Sequence, residues 1–139
     1  MRFWDASALV PLCLSEPTSN PLLTLLHTDH AVAVWWGSLI ECWSTIARRG
    51  REGSLSLDEG DQAVVRLSRL QESWYEIQPS EQIRGLVARL LRVHPLSGAD
   101  ALQLAAALVW IDKAAPGEFV TLDHRLHTAA RLEGFRVLP

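Results

Sequence analysis

MRFWDASALVPLCL, the stretch from Met1 to Leu14, decides the fold. Arg2, Phe3 and Trp4 predict a short strand whose last residue is Asp5, and Ala6 to Val10 predict the opening turns of a helix. An acid placed where a strand hands over to a helix stands at the carboxyl edge of a sheet, where open α/β proteins put their chemistry. Asp5 is therefore a candidate anchor for a site. The plainer alternative is that its carboxylate only caps the helix, accepting a backbone N–H from Ser7 or Ala8.

Working outward, strands and helices alternate to the end of the chain. Asn20-Pro21 predicts an N-cap followed by proline at the first helical position, with a helix to about His27. Ala31 to Trp35 is continuously apolar and suits a strand covered on both faces. Ser38-Leu39-Ile40-Glu41 has capping-box spacing, and Ile40, Trp43 and Ala47 predict the buried stripe of a helix stopping near Gly50. A second box, Ser56 to Glu59, opens a helix with Val64, Leu67 and Leu70 at helical spacing. Trp74 to Ile77 predicts a strand. Ile83, Leu86, Val87, Leu90 and Leu91 give the apolar face of a helix ending at His94-Pro95. Ser97 opens a helix that is apolar nearly all round through Val109 and should be the most buried. Glu118 to Thr121 predicts a strand, Asp123 to Glu133 a helix with Gly134 as its C′ residue, and Phe135 to Val137 a last strand. This order means α/β, with a mainly parallel sheet of about five strands covered on both sides.

The totals exclude several classes. At 139 residues, with no linker or compositional break, the expectation is a single domain over residues 1–139. Hydrophobic residues make up 48% and charged residues 21%, without an apolar run of membrane-spanning length, so the expectation is a soluble, cytoplasmic protein. A net charge of -3 argues against holding nucleic acid by bulk electrostatics. Arg48, Arg49 and Arg51 form the one tight basic cluster, which also suits an ordinary helix C-terminus. The two cysteines, Cys13 and Cys42, read as core residues rather than as a metal site or disulfide.

Four acids share one pattern. Asp5, Glu41, Asp100 and Asp123 each stand at or just inside a predicted helix start, and three of those starts directly follow a strand. A parallel sheet gathers such starts at one edge, so the four carboxylates are expected to converge on one pocket. Each is also explicable as a cap or box residue. Clustered carboxylates raise one another's pKa unless a divalent ion holds them ionised, and oxygen-only ligands favour Mg²⁺ or Mn²⁺ over zinc. His94, His124 and His127 are set aside as ligands. Of six tryptophans, Trp43 and Trp110 are expected in the core, and one of Trp35 and Trp36 is expected to face the pocket side. Trp36 is the candidate contact to substrate or partner.

Phe3-Trp4-Asp5-Ala6-Ser7-Ala8-Leu9, Glu41, Ser97-Gly98-Ala99-Asp100-Ala101-Leu102-Gln103-Leu104-Ala105 and Phe119 to Leu126 together resemble the four motifs of a PIN domain, most closely of the VapC-like toxin branch. The resemblance spans essentially the whole chain, and the pairing of the first motif with Ala-Asp-Ala-Leu-Gln-Leu-Ala is the specific part. It implies a three-layer α/β/α fold and a metal-dependent ribonuclease using Mg²⁺ or Mn²⁺. It also implies the toxin of a toxin–antitoxin pair, a homodimer, and an antitoxin tail across the acidic pocket. By position, Asp5, Glu41, Asp100 and Asp123 match the family's acidic quartet, and Ser7 and Thr121 match the hydroxyl positions beside the first and last acids. Trp4 departs from the usual aliphatic residue. Among rivals, a haloacid-dehalogenase-like phosphatase needs a second acid where this chain has Ser7, and a receiver-type phosphoacceptor needs an acidic pair and a late lysine. A PIN-fold interaction module, or a nuclease acting on DNA, remain the alternative functions.

Overall fold

The computed structural model describes residues 1–111 and 116–139, so the one lysine, Lys113, lies outside the described residues. The strands are β1 (Arg2–Trp4), β2 (Val32–Trp35), β3 (Tyr75–Ile77), β4 (Glu118–Val120) and β5 (Arg136–Leu138). The helices are α1 (Ala6–Leu12), α2 (Ser19–Thr28), α3 (Ser38–Arg51), α4 (Leu57–Gln71), α5 (Glu81–Val93), α6 (Gly98–Trp110) and α7 (His124–Leu132). All strand pairs are parallel, in the order β3-β2-β1-β4-β5. The chain builds outward from β1 through β2 to β3 and then crosses back to β4 on the other side of β1. The order therefore reverses between β1 and β4, which is where an open sheet leaves a crevice beyond its carboxyl ends.

Side chains alternate across the sheet and split the core in two. Phe3, Ala33, Trp35, Ile77 and Phe119 pack beneath α5, α6 and α7, with Phe3 and Phe119 stacked at 5.2 Å. Trp4, Val32, Val34 and Val120 pack beneath α1 to α4. Strands buried on both faces carry no polar alternation, which is why their sequences read as plain apolar runs. Trp4 Nε1 is the single fully buried side-chain nitrogen or oxygen without a hydrogen-bond partner among the described residues. Cys13 and Cys42 are both free and buried, and burial pushes the Cys13 thiol up to about 11, as befits inert core residues.

Several local expectations need correction. The helix after Ser38 has Gly37 as N-cap, so Ser38 lies inside it and makes no capping box. Gly37 is needed there because a Cβ would sit 2.4 Å from Trp35 Nε1. The inward face of α3 carries Ser38, Cys42 and Ile46, while Ile40 and Trp43 are about half exposed and Ala47 is also exposed. The physical reason is a bond from Ser38 Oγ to Gln103 of α6, 3.0 Å, which fixes the rotation of α3 about its axis. Trp43 is therefore a surface residue, and Trp110 is only partly buried, tilted against Phe3 at 6.1 Å.

Helix α2 starts at Ser19, two residues before Pro21, because the buried Ser19 hydroxyl bridges back to the carbonyls of Pro11 and Leu14. Proline in a first turn costs no intrahelical bond. In α4 the buried positions are Ala63 and Leu67, with Val64 facing out, and in α5 Leu91 faces out. The boxes at Ser56–Glu59 and Ser97–Asp100 form as expected, and Gly134 takes φ +100°.

Candidate active site

A cavity of about 590 Å³ opens at the carboxyl edge of the sheet, and all four acids line it. Asp5 follows β1 directly, its backbone N–H bonding the Val120 carbonyl at 3.1 Å. It holds the N-cap position of α1 but makes no side-chain capping bond, so capping does not account for it. Its carboxylate accepts from Ser7 Oγ at 2.8 Å. Ser7 Oγ also accepts from the Leu122 N–H at 2.9 Å and lies 3.3 Å from Thr121 Oγ1. The one proton of Ser7 goes to Asp5, and Thr121 Oγ1, beside both, accepts from the Asp123 N–H at 3.0 Å. Two hydroxyls thus tie the turn after β1 to the turn after β4.

Asp123 caps α7, Oδ1 accepting from the Leu126 N–H at 2.8 Å. Asp100 belongs to the box with Ser97, whose N–H reaches Oδ2 at 3.4 Å. Glu41, one turn into α3, accepts from Gln103 Nε2 at 2.8 Å. Asp123, Asp100 and Glu41 thus each accept from a protein donor through one carboxylate oxygen. Burial pushes Asp5 up from 3.8 to about 7, with the Ser7 and Thr121 hydroxyls pulling the other way and the nearby Glu41 charge adding to the rise. Glu41 is raised as well, by burial first and by the Asp100 charge, against the Gln103 amide. Carboxylates that burial and mutual repulsion keep from ionising form a natural cation site.

Among the described residues, no three His, Cys, Asp or Glu side chains are already gathered into a metal cage. An open, acid-lined cavity with oxygen donors still fits Mg²⁺, which keeps several waters and needs one or two direct carboxylates. No histidine lines the cavity. His94 is instead buried against Glu133 at 2.8 Å, and Arg89 holds the same carboxylate.

Glu41 does share its helix face with Thr45 and Arg48, which line the cavity with it, as does Arg49. These cations were legible only as a helix end. Gln103 was legible only as part of the Ala-Asp-Ala-Leu-Gln-Leu-Ala motif, with no role of its own, although a lone polar residue between Leu102 and Leu104 of an apolar helix is a signal. Neither Trp35 nor Trp36 lines the acidic cavity, against expectation. Trp35 is buried, and Trp36, 45% exposed, borders a separate groove with Pro79, Val87 and Leu102.

No family model matches the chain. Ribonuclease VapC45 and ribonuclease VapC49, from two strains of Mycobacterium tuberculosis, are each 32% identical over 141 residues, covering 99% of this chain and 94% of the relative. Among solved structures, M. tuberculosis VapC20, described as a sarcin–ricin loop cleaving toxin, superposes with a TM-score of 0.71 at 17% identity, over 98% of this chain and 97% of that one. FitAcB from Neisseria gonorrhoeae gives a TM-score of 0.69 at 14% identity, over 100% and 97%. The near full-length identity to the two ribonucleases places the chain in the VapC ribonuclease family, and the structural likeness places it on the PIN-domain fold.

Proposed function

We propose that this toxin-family endoribonuclease hydrolyses RNA phosphodiester bonds in a reaction dependent on Mg²⁺, for which Mn²⁺ can substitute. The observation that carries the reading is the convergence of four carboxylates, from four helix starts, on one cavity at the topological switch of the sheet. Asp5 and Asp100 are the principal ligands, directly or through water, and Asp123 completes the set. A divalent ion held by these residues would supply a water of lowered pKa and positive charge against the phosphate oxygens. Glu41, raised by burial and hydrogen-bonded to Gln103, would join them at the ion, holding a water or a second ion and receiving the proton of the attacking water. Ser7 and Thr121 hold Asp5 in place through their hydroxyls. Arg48, whose one ion-pair partner among the described residues is Glu52 at 3.6 Å, offers its guanidinium to a neighbouring phosphate.

The toxin role brings two protein partners, a cognate antitoxin and a second copy of the chain. Trp36, Ile40 and Trp43 support the second. They lie about four and three residues apart along and just before α3, each about half exposed, and form an apolar stripe that a two-fold contact could cover with itself. Among the described residues no helix is long and apolar enough to cross a membrane.

The deciding experiment is cleavage of a labelled structured RNA with Mg²⁺ or Mn²⁺ against EDTA, using Asp5→Asn and Asp100→Asn as controls. Cleavage that needs the ion and disappears in both variants is the expected result. Ion-dependent cleavage that survives Asp5→Asn would overturn the site. Tight Mn²⁺ binding lost in both variants but without RNA cleavage would shift the reading to DNA or to an interaction module.

A further inference from the structure

Helix α6 is apolar almost all round, and Gln103 is the exception on its buried side, at 2% exposure. A leucine would pack there as Leu104 does, whereas a carboxamide needs partners at both ends or costs free energy. It has them. Ser38 Oγ donates to Gln103 Oε1 at 3.0 Å, and Gln103 Nε2 donates to Glu41 Oε2 at 2.8 Å. This orientation pairs both ends of the amide, its N–H with a Glu41 oxygen and its oxygen with the Ser38 hydroxyl, so the two partners together determine which way it points. Ser38 and Glu41 are three residues apart on one face of α3, and both meet a single side chain from α6.

Glu41 stands a full turn inside its helix, so no cap or turn holds its side chain. Asp123 is held by α7's first turn, Asp100 by its box and Asp5 by Ser7. Glutamate has one more rotatable bond than aspartate and the most freedom to lose. We propose that Gln103, itself set by Ser38, is a positioning residue that fixes the Glu41 carboxylate toward the cavity, an inference that rests on Glu41 belonging to the ion-holding set.

The test is a coupling measurement on Gln103→Leu, Glu41→Ala and the double variant. It reads Mn²⁺ affinity from the electron paramagnetic resonance of free Mn²⁺, RNA cleavage, and thermal unfolding in EDTA. Gln103→Leu is expected to lower both Mn²⁺ affinity and cleavage by about tenfold or more, the usual cost of losing a group that orients a ligand. In the Glu41→Ala background the same substitution is expected to change neither, because there is no carboxylate left to position. Equal losses in both backgrounds, or unchanged Mn²⁺ affinity in Gln103→Leu, would overturn the proposal. Should Gln103→Leu fold poorly, Ser38→Ala frees the amide with less disturbance and is expected to show the same dependence on Glu41, more weakly. Glu41→Ala that leaves Mn²⁺ binding and cleavage intact, while Asp5→Asn abolishes them, would sink this inference and spare the ribonuclease reading. Ion-dependent cleavage retained in Asp5→Asn would sink that reading and this inference with it.

Discussion

The starts of α4 and α6 carry the same arrangement, a serine three residues ahead of an acid, and both fold into a reciprocal capping box. At α4 the Ser56 N–H reaches Glu59 at 3.0 Å, and the box holds that carboxyl below its usual range. At α6 the shorter side chain of Asp100 leaves the corresponding bond at 3.4 Å, close to the limit of a hydrogen bond. Glu59 spends its charge on the helix end, whereas Asp100 is tied loosely and borders a cavity shared with three other acids. The difference is not local. Asp100 lines the cavity, whereas neither Ser56 nor Glu59 does, although Ser54 just ahead of α4 is part of its wall. One motif thus serves as punctuation in one place and, in the proposed function, as a support for chemistry in the other.

The largest expected effect separates a cavity acid from any capping acid. Asp5→Asn should lower ion-dependent cleavage by more than about a hundredfold, beyond the cost of losing an outer partner. In EDTA the same variant should be the more stable protein. Below about pH 4 Asp5 is protonated whether the chain is folded or not, and its burial carries no charge penalty. Between about 4 and 7 the unfolded chain ionises while the folded one keeps its proton, so stability falls as pH rises, and above 7 the penalty is complete. A displacement of roughly three units, at about 1.4 kcal/mol each, places that penalty on the order of 4 kcal/mol. Glu41 adds in the same direction, whereas Glu133 and Asp29, held low by their cationic partners, lose their contribution only as pH falls into the acid range. Urea unfolding from pH 4 to 8 should therefore show a decline in the parent protein that Asp5→Asn flattens. Added Mn²⁺ should restore the parent and leave the variant unmoved.

The two boxes themselves provide the next contrast. Asp100→Ala and Glu59→Ala each remove one reciprocal cap and should produce similar small losses of Tm. Cleavage should fall by about tenfold or more in Asp100→Ala, as for a lost metal partner, and stay near the parent rate in Glu59→Ala. Equal cleavage in the two variants would mean that Asp100 does nothing at the cavity that Glu59 does not do at α4.

This contrast also shows what a sequence discloses. The strand-to-helix handover at Asp5 and the alternating elements were legible because buried parallel strands and capped helices leave local patterns, and the acids could be placed at one edge from that order alone. The rotation of α3 was not. Ile40, Trp43 and Ala47 make as good an apolar stripe as Cys42 and Ile46, and the choice between them rests on a hydrogen bond from Ser38 to Gln103, sixty-five residues away in sequence. The same long-range bond undid the capping box expected at Ser38. Gln103 was hidden for the complementary reason, since its partners are recognisable only once α3 and α6 are side by side. Trp36 adjoins the acidic motif in sequence yet borders, together with Trp35, a groove walled by Pro79, Val87 and Leu102 rather than the acidic cavity.

The smallest expected effect concerns the neighbouring arginines of α3, which line the same cavity with different commitments. Arg49 reaches Glu16 at 3.0 Å, about three-quarters buried, and its carbonyl accepts from the N–H groups of Ser54 and Leu55. It is a strut between α3, the segment after α1 and the approach to α4. Arg48 is more than half exposed and, among the described residues, has only the long, solvent-screened pair with Glu52, which holds it weakly. An incoming phosphate would displace Glu52 at little cost, whereas it would have to break a formed pair at Arg49. Arg48→Gln should therefore weaken RNA binding a few-fold and flatten its salt dependence by about 0.7 in the log–log slope, one phosphate contact on a single strand, with Tm unchanged. Arg49→Gln should lower Tm and leave that slope close to the parent's. Fluorescence anisotropy of a labelled RNA over a salt series, run in the Asp5→Asn background to prevent cleavage, measures both. A slope that moves with Arg49 rather than Arg48 would reverse the assignment and place the phosphate on the α1 side of the cavity.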